Sequence, residues 1–441
     1  MSILRRTSAE SRENPSAAKT NAWFARRRVV VRALGLGLIT GAADDDPSAI
    51  GTYATAGAKI GPSFLWTAPV TFPLMVAVVY LSSKLGLVSG QALFTVIRKN
   101  YSRRFLLIIL AAVVVGNTIE AGADIGGMAA ALNLVIPIPI GWMVMVLGLV
   151  ILVLQVWGSY KLIRNIFRFL SLLLLAYLGS AILAHPELGP VLRGSFIPTI
   201  HFNRGFLEMI VAVIGTTLSA YLYTWQSNEE VEEKIAAGRR RLTERQGASR
   251  AELKYSMWDI VAGMFFSNTI MYFIILSTAS TLFKAGKTDI SSAADAAQAL
   301  LPLAGNAAGL LFALGVIGVG FLAVPVMTTG AAYDICQSFG WKHGLYRKPA
   351  EAKKFYAIIS IFVLIAIGLN FFGINPMKAL VLAGVVQGFS TPPLMLLIMR
   401  MTNNPAIMGK RVNGPAINVL GWITTITTFA GAAGLVVSWF V

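Results

Sequence analysis

Gly41-Ala-Ala-Asp-Asp-Asp-Pro-Ser-Ala-Ile50 is the stretch that decides how the chain folds. It joins two apolar runs, residues 29–40 and 50–58, that together make one membrane-crossing segment. Each acid costs about 2.5–3.5 kcal/mol at the centre of a membrane helix, so three in a row are not there for packing. Pro47 has no N–H, which leaves the carbonyl of Ala43, four residues back, without its intrahelical donor. Asp46, the residue before proline, is pushed towards extended geometry. The pattern predicts a helix broken at membrane depth, with carboxylate and free carbonyl oxygens side by side, which is the outline of a cation site. The structural alternative is a short polar loop between two half-length hydrophobic hairpins.

The surrounding composition supports a membrane protein. Hydrophobic residues make up 56% of the 441, charged residues 13%, and the mean hydropathy is +0.69, a balance that implies many membrane crossings. The one cysteine, Cys336, excludes an internal disulfide and a thiolate metal cluster. His185, His201 and His343 all fall in polar connections, so no intramembrane site is built on histidine. The formal net charge of +17 reports topology rather than a nucleic-acid partner.

Residues 1–32 read as a polar, arginine-rich cytosolic tail, with no long apolar run or cleavage site of a signal peptide. Eleven segments follow, near 33–58, 64–83, 105–134, 140–158, 169–184, 206–227, 257–283, 303–333, 355–373, 377–399 and 415–440. With the N-terminus inside, 31 of the 37 basic residues lie on the cytosolic side and 6 outside. Lys161, Arg164 and Arg168 form one of the inside connections. That asymmetry predicts a cell (plasma) inner-membrane protein with a cytoplasmic N-terminus and an extracytoplasmic C-terminus.

Segment 6 carries Ile214-Gly-Thr-Thr-Leu-Ser-Ala-Tyr221, a polar and glycine-bearing patch in an apolar run, five crossings after the broken segment 1. Two interrupted helices, each first in a set of five, form the pattern of an inverted repeat with its site at the midplane. Taken singly, Thr216, Thr217 and Ser219 could simply bond back to their own helix. The expected layout is repeat one at about 33–184, repeat two at about 206–399 and an extra helix at about 415–440, all in one transporter domain, 33–441.

Asp46-Pro-Ser-Ala49 resembles the Asp-Pro-Gly-Asn motif of the NRAMP divalent-metal transporters, and Ile214–Ser227 resembles their sixth-helix stretch containing Met-Pro-His. Gly41–Tyr53, Asn117-Thr-Ile-Glu-Ala-Gly-Ala-Asp-Ile-Gly126 and Ile374-Asn-Pro-Met-Lys-Ala379 are similar to a divergent branch, the NRAMP-related magnesium transporters. The resemblance spans nearly the whole chain from about residue 30. It implies an all-α, LeuT-like fold of two inverted five-helix repeats plus one helix, with helices 1 and 6 interrupted.

The resemblance also implies metal-site positions. Asp46 and the carbonyl of Ala43 match family ligands, whereas the family Asn is Ala49 here. On the sixth helix the family Met falls on Ser219, its Pro on Ala220 and its His on Tyr221, with the carbonyl of Thr216 as a further ligand position. Losing Met removes the soft thioether that favours transition metals. The oxygen that remains suits Mg²⁺, which holds on to several waters and is bound through one or two carboxylates.

Glu120 and Asp124 are four residues apart and share a helix face, with Gly122, Gly126 and Gly127 permitting close helix approach. Asp124 falls where the family has Glu and is the candidate contact to the ion's water shell; Ala121 falls where it has Asp. Asp44 and Asp45 point away from Asp46 and line the approach. Thr217 and Gln387 are further candidates, Gln387 with either a structural or a site role.

The expectation is a secondary transporter or facilitator of divalent cations, Mg²⁺ foremost and Mn²⁺ also, without tight proton coupling. Tyr221 stays neutral near pH 7 where the family has a titratable His, and segment 9 has no charge in its apolar span. The alternatives are a proton-coupled Mn²⁺/Fe²⁺ transporter and a LeuT-like carrier of an organic substrate such as an amino acid. No P-loop or His-Glu-x-x-His motif is present, so ATP-driven transport and zinc proteolysis lack support. The chain is expected to be neither an enzyme nor dependent on a cofactor. Its partners are the ion and the bilayer, not nucleic acid, and a monomer fits.

Overall fold

The chain's structure is a computed structural model that describes residues 36–157, 172–437 and 439–440. The tail at 1–32, the first residues of segments 1 and 5, and the connection bearing Lys161, Arg164 and Arg168 lie outside the described residues. Among the described residues every regular element is a helix. Backbone polar groups in a bilayer have to be satisfied within their own segment or a closed barrel, and helices do so locally.

The first segment is two helices, α1 (Leu36–Asp44) and α2 (Pro47–Ile60). Asp46 lies between them with φ −63° and ψ 170°, the extended geometry its position before proline demands. Next come α3 (Thr67–Ser89), α4 (Leu93–Asn100), α5 (Arg103–Asn133), α6 (Ile140–Trp157) and α7 (Ala176–Leu183). The second interrupted segment is α8 (Arg204–Thr217) and α9 (Ala220–Ala236). It breaks without a proline: Leu218 (φ −115°, ψ 36°) and Ser219 (φ −58°, ψ 137°) leave helical geometry. The remaining long helices are α10 (Arg250–Thr278), α11 (Ala308–Phe339), α12 (Lys353–Leu369), α13 (Pro376–Thr402) and α14 (Pro415–Val437).

Nine helical stretches among the described residues are long and apolar enough to cross a membrane, the α8–α9 pair counting as one. The two other expected segments are the broken pair α1–α2, whose halves are 9 and 14 residues, and the shorter apolar stretch Leu172–Leu183.

Segment 6 needs the largest correction. The sequence pattern ends it near 227, yet α9 continues to Ala236. The polar Gln226–Glu230 stretch is buried against α3, where the Ser83 hydroxyl donates to Glu230 Oε1 at 2.6 Å and Gln226 Nε2 donates to the same oxygen at 3.1 Å. Segment 8 likewise extends to Phe339 and takes Asp334 and Gln337 into the helix. Segment 7 begins earlier, at Arg250, because Ser249 and Glu252 form a reciprocal capping box. Segment 2 runs to Ser89, so Lys84 is a buried helix residue whose Nζ donates to the Val412 carbonyl and Asn413 Oδ1, both at 3.0 Å.

Glycines bring the broken segments close to their neighbours. A Cβ on Gly215 would lie 1.9 Å from the carbonyl oxygen of Gly384, so α8 and α13 meet backbone to backbone one turn before the second break. A Cβ on Gly41 would lie 2.2 Å from the Gly263 oxygen, and this sets α1 against α10 beside the first break.

Candidate metal-ion site

Two helix breaks and one face of α5 meet around Asp46. As the N-cap of α2, Asp46 accepts at Oδ1 from the Ala49 N–H (2.7 Å) and the Ser48 hydroxyl (2.7 Å). Its Oδ2 lies 3.0 Å from the Tyr221 hydroxyl on α9. That hydroxyl also lies 2.7 Å from the Ala43 carbonyl, the group Pro47 leaves without a helical donor. A phenol has one proton, so it serves one of these two oxygens at a time.

Ser48 links the remaining groups. Its hydroxyl lies 3.3 Å from Glu120 Oε1 and 3.4 Å from Thr216 Oγ1, and its N–H donates to Asp124 Oδ1 at 2.9 Å. Glu120 and Asp124, one turn apart on α5, thus reach the same residue. Gln387 on α13 donates to Glu120 Oε2 (2.6 Å) and to Asn117 Oδ1 (3.0 Å). Ser219 bonds back to the Gly215 and Thr216 carbonyls (2.9 and 3.0 Å) and lies 3.2 Å from Glu120 Oε1. Its hydroxyl occupies the helix break where a proline would otherwise free those carbonyls.

Oxygen outnumbers protons in this cluster. Asp46, Glu120 and Asp124 contribute six carboxylate oxygens, and Asp124 Oδ2 is buried with no hydrogen-bond partner. Asp46, Ala49, Glu120, Asp124, Thr216, Ser219, Tyr221 and Gln387 are all fully buried. Ionised carboxylates held out of water need compensating positive charge, yet the two ion pairs among the described residues, Arg204–Glu208 and Arg239–Glu252, lie elsewhere. Among the described residues no group of three or more Asp, Glu, His or Cys side chains is placed to hold a metal ion by itself. The donor set is therefore one or two carboxylates with hydroxyls and carbonyls, chemistry that fits a hard cation keeping part of its water.

The other sequence candidates fall around this centre. Ala49 offers a backbone donor and a methyl group rather than an oxygen ligand. Thr217 is hydrogen-bonded to the Tyr53 hydroxyl at 3.0 Å, which ties α8 to α2. Asp44 and Asp45 turn to Ser267 on α10, whose hydroxyl lies 2.6 and 3.2 Å from them. On the α1 side, the Thr40 hydroxyl donates to Gln226 Oε1 at 2.6 Å and holds α1 against α9. Sequence reasoning missed Ser48 and Tyr53. Ser48 had a legible signal, since it replaces the glycine of the Asp-Pro-Gly-Asn motif; Tyr53 had none.

Comparison with known proteins bears on the family and the fold. The chain is 26% identical over 410 residues to a divalent metal cation transporter MntH of Deinococcus radiodurans, covering 91% of this chain and 89% of that one. It is 26% identical to the MntH of Bacillus subtilis, with 92% of each chain covered. Among solved structures, a manganese transporter of Eremococcus coleocola superposes with a TM-score of 0.73 at 19% identity, over 94% of this chain and 88% of that one. The nucleobase-cation-symport-1 family transporter Mhp1 superposes at 0.57 with 14% identity, over 91% and 92%. The fold is LeuT-like. The model of the natural resistance-associated macrophage protein-like family matches residues 37–438, and the chain belongs to the Nramp family.

Proposed function

We propose that this member of the Nramp family of divalent metal cation transporters carries Mg²⁺ foremost, as a partly hydrated ion, and Mn²⁺ as a second substrate. The observation that carries this is the all-oxygen donor set at the two breaks: Asp46, the Ala43 carbonyl, and hydroxyls from Ser48, Thr216 and Tyr221. Ser219 stands where the family motif has its thioether, which takes the motif's soft ligand away from the ion. Asp46 is the anionic anchor, and Asp124 and Glu120 act on the ion's water shell. Mg²⁺ gives up water reluctantly, and carboxylates that reach it through water suit that habit.

The chain works in the cell membrane with its N-terminus and basic connections in the cytoplasm. Residues 33–184 and 206–399 act as two inverted repeats around the fixed site, followed by one extra helix. Uptake follows the membrane potential, about 2.3 kcal/mol per charge per 100 mV, or about 4.6 kcal/mol for a divalent ion. Tight proton coupling is absent because Tyr221 stands in for the titratable histidine. Uptake into proteoliposomes of purified protein, compared for Mg²⁺, Mn²⁺ and Ca²⁺, tests the proposal. Mg²⁺ uptake at or above that of Mn²⁺ is expected, and uptake of Mn²⁺ without Mg²⁺ would overturn it.

A further inference from the structure

A second polar cluster lies on the same helix as Tyr221, further along α9. Tyr221, Thr224, Asn228 and Glu232 follow one another at spacings of three, four and four residues, which places them on one face. The rise per residue puts Asn228 about 10 Å from Tyr221 along the axis. Opposite them runs α11, where the Cβ position of Gly330 lies 3.8 Å from Thr224 Oγ1. One turn further on, α11 presents Asp334, fully buried, with no hydrogen bond of ordinary geometry to either carboxylate oxygen and only the polar ends of Thr224 and Asn228 close by.

The neighbours of Asp334 are hydroxyl and amide groups, with no positive charge beside it. Its carboxylate faces Thr224 and Asn228. The Thr224 hydroxyl donates to the Tyr221 carbonyl at 3.1 Å, which turns its lone pairs outward. Gln337 Nε2 donates to Asn228 Oδ1 at 2.5 Å, leaving Gln337 Oε1 and Asn228 Nδ2 buried and unpartnered. In either orientation of the two amides, one amide–amide bond leaves one oxygen and one amino group over; here the amino group is that of Asn228, beside Asp334, and the oxygen is that of Gln337. An ionised carboxylate buried beside a spare amide oxygen is costly unless a proton or a cation binds there.

Asn228 and Gln337 also line a cavity of about 430 Å³ that is open at the basic face of the molecule. Arg98, Arg245, Lys342 and Arg347 stand in its wall, with Glu232 and Tyr333. A divalent ion moving from Asp46 into this vestibule meets positive charge, and a carboxylate at the inner end offsets that repulsion.

We infer that Asp334, Asn228 and Gln337, with Thr224, form a second station for a hydrated divalent cation between the Asp46 site and the basic vestibule. This rests on the transport function proposed above. The station takes one ion through one carboxylate, amide and hydroxyl oxygens and retained water, and receives it along the Tyr221–Thr224–Asn228 face of α9.

The test counts Mn²⁺ bound at equilibrium to full-length protein in nanodiscs, by the spin-resonance signal of the free ion, beside Mg²⁺ uptake in proteoliposomes. Wild type is expected to bind two ions per chain and Asp334→Asn one. Asp334→Asn is also expected to lose about tenfold in uptake rate at saturating Mg²⁺, the lower end of the effect of removing a ligand's support. Asp46→Asn is expected to keep one ion that the double variant loses. Unchanged stoichiometry in Asp334→Asn would overturn the station, whatever Asp46→Asn does. Two ions retained by Asp46→Asn would instead overturn the main-site assignment. If Asp334→Asn does not fold, the pair Asn228→Leu and Gln337→Leu removes both amide oxygens and leaves the charge. About tenfold weaker binding of the second ion then supports the station, and unchanged binding overturns it.

Discussion

Replacing Asp46 by Asn isolates the charge of the main site. The Ala49 N–H and the Ser48 hydroxyl both donate to Asp46 Oδ1. An Asn side-chain oxygen keeps those bonds, and Asn caps helices about as well as Asp. The fold of the break is therefore retained while the anion is lost. Removing one partner of a buried charge pair costs about 3–5 kcal/mol, so Mg²⁺ affinity should fall roughly 10²- to 10⁴-fold. Melting of purified protein with and without Mg²⁺ reads this directly. At a Mg²⁺ concentration about 100 times the wild-type Kd, bound ion adds about 2.7 kcal/mol to wild type and about 0.4 kcal/mol or less to the variant. Without metal, the variant should melt at or above wild type, because a buried uncompensated charge is gone. Asp46→Ala should differ by also losing the cap, at about 1 kcal/mol. A wild-type Mg²⁺-dependent rise in melting temperature for Asp46→Asn, with normal uptake, would refute the assignment of Asp46 as anchor.

The double variant Ser219→Met, Ala49→Asn restores a thioether and an amide oxygen, and should shift uptake from Mg²⁺ towards Mn²⁺ and Cd²⁺; a wild-type ranking in competition uptake would place selectivity elsewhere. Tyr221→Phe removes the hydroxyl shared by the Ala43 carbonyl and Asp46, and thermal melting should show a loss of about 1–3 kcal/mol for the buried acceptor left behind. Gln387→Leu takes away a donor to Glu120 Oε2 and should lower Mg²⁺ uptake on the order of tenfold while the protein stays folded by size-exclusion chromatography. In proteoliposomes loaded with a pH dye, Mg²⁺ uptake at fixed potential should leave the lumen pH unchanged, and acidification that follows the Mg²⁺ gradient would show proton coupling.

The sequence by itself determined the first break. A proline's missing N–H and its clash with the preceding residue are covalent facts, so Asp46 and the Ala43 carbonyl could be named before any contact was known. The apolar lengths and the α5 face shared by Glu120 and Asp124 were legible for the same reason, since helical periodicity is local. The second break was visible only as a polar patch. Without a proline, it takes the Ser219 hydroxyl on the Gly215 and Thr216 carbonyls, and the crossing of Gly215 with Gly384, to end the helix at Thr217. Tertiary structure alone decided the continuation of α9 to Ala236. A run of Gln, Asn and Glu after an apolar stretch resembles a cytosolic loop until Ser83 and Ser256 from other helices take up Glu230. The contacts of Tyr221 with Asp46 and of Gln387 with Glu120 belong to the same class. Their partners are more than 150 residues apart in sequence, and no local pattern encodes which of several polar groups will be folded onto which carboxylate.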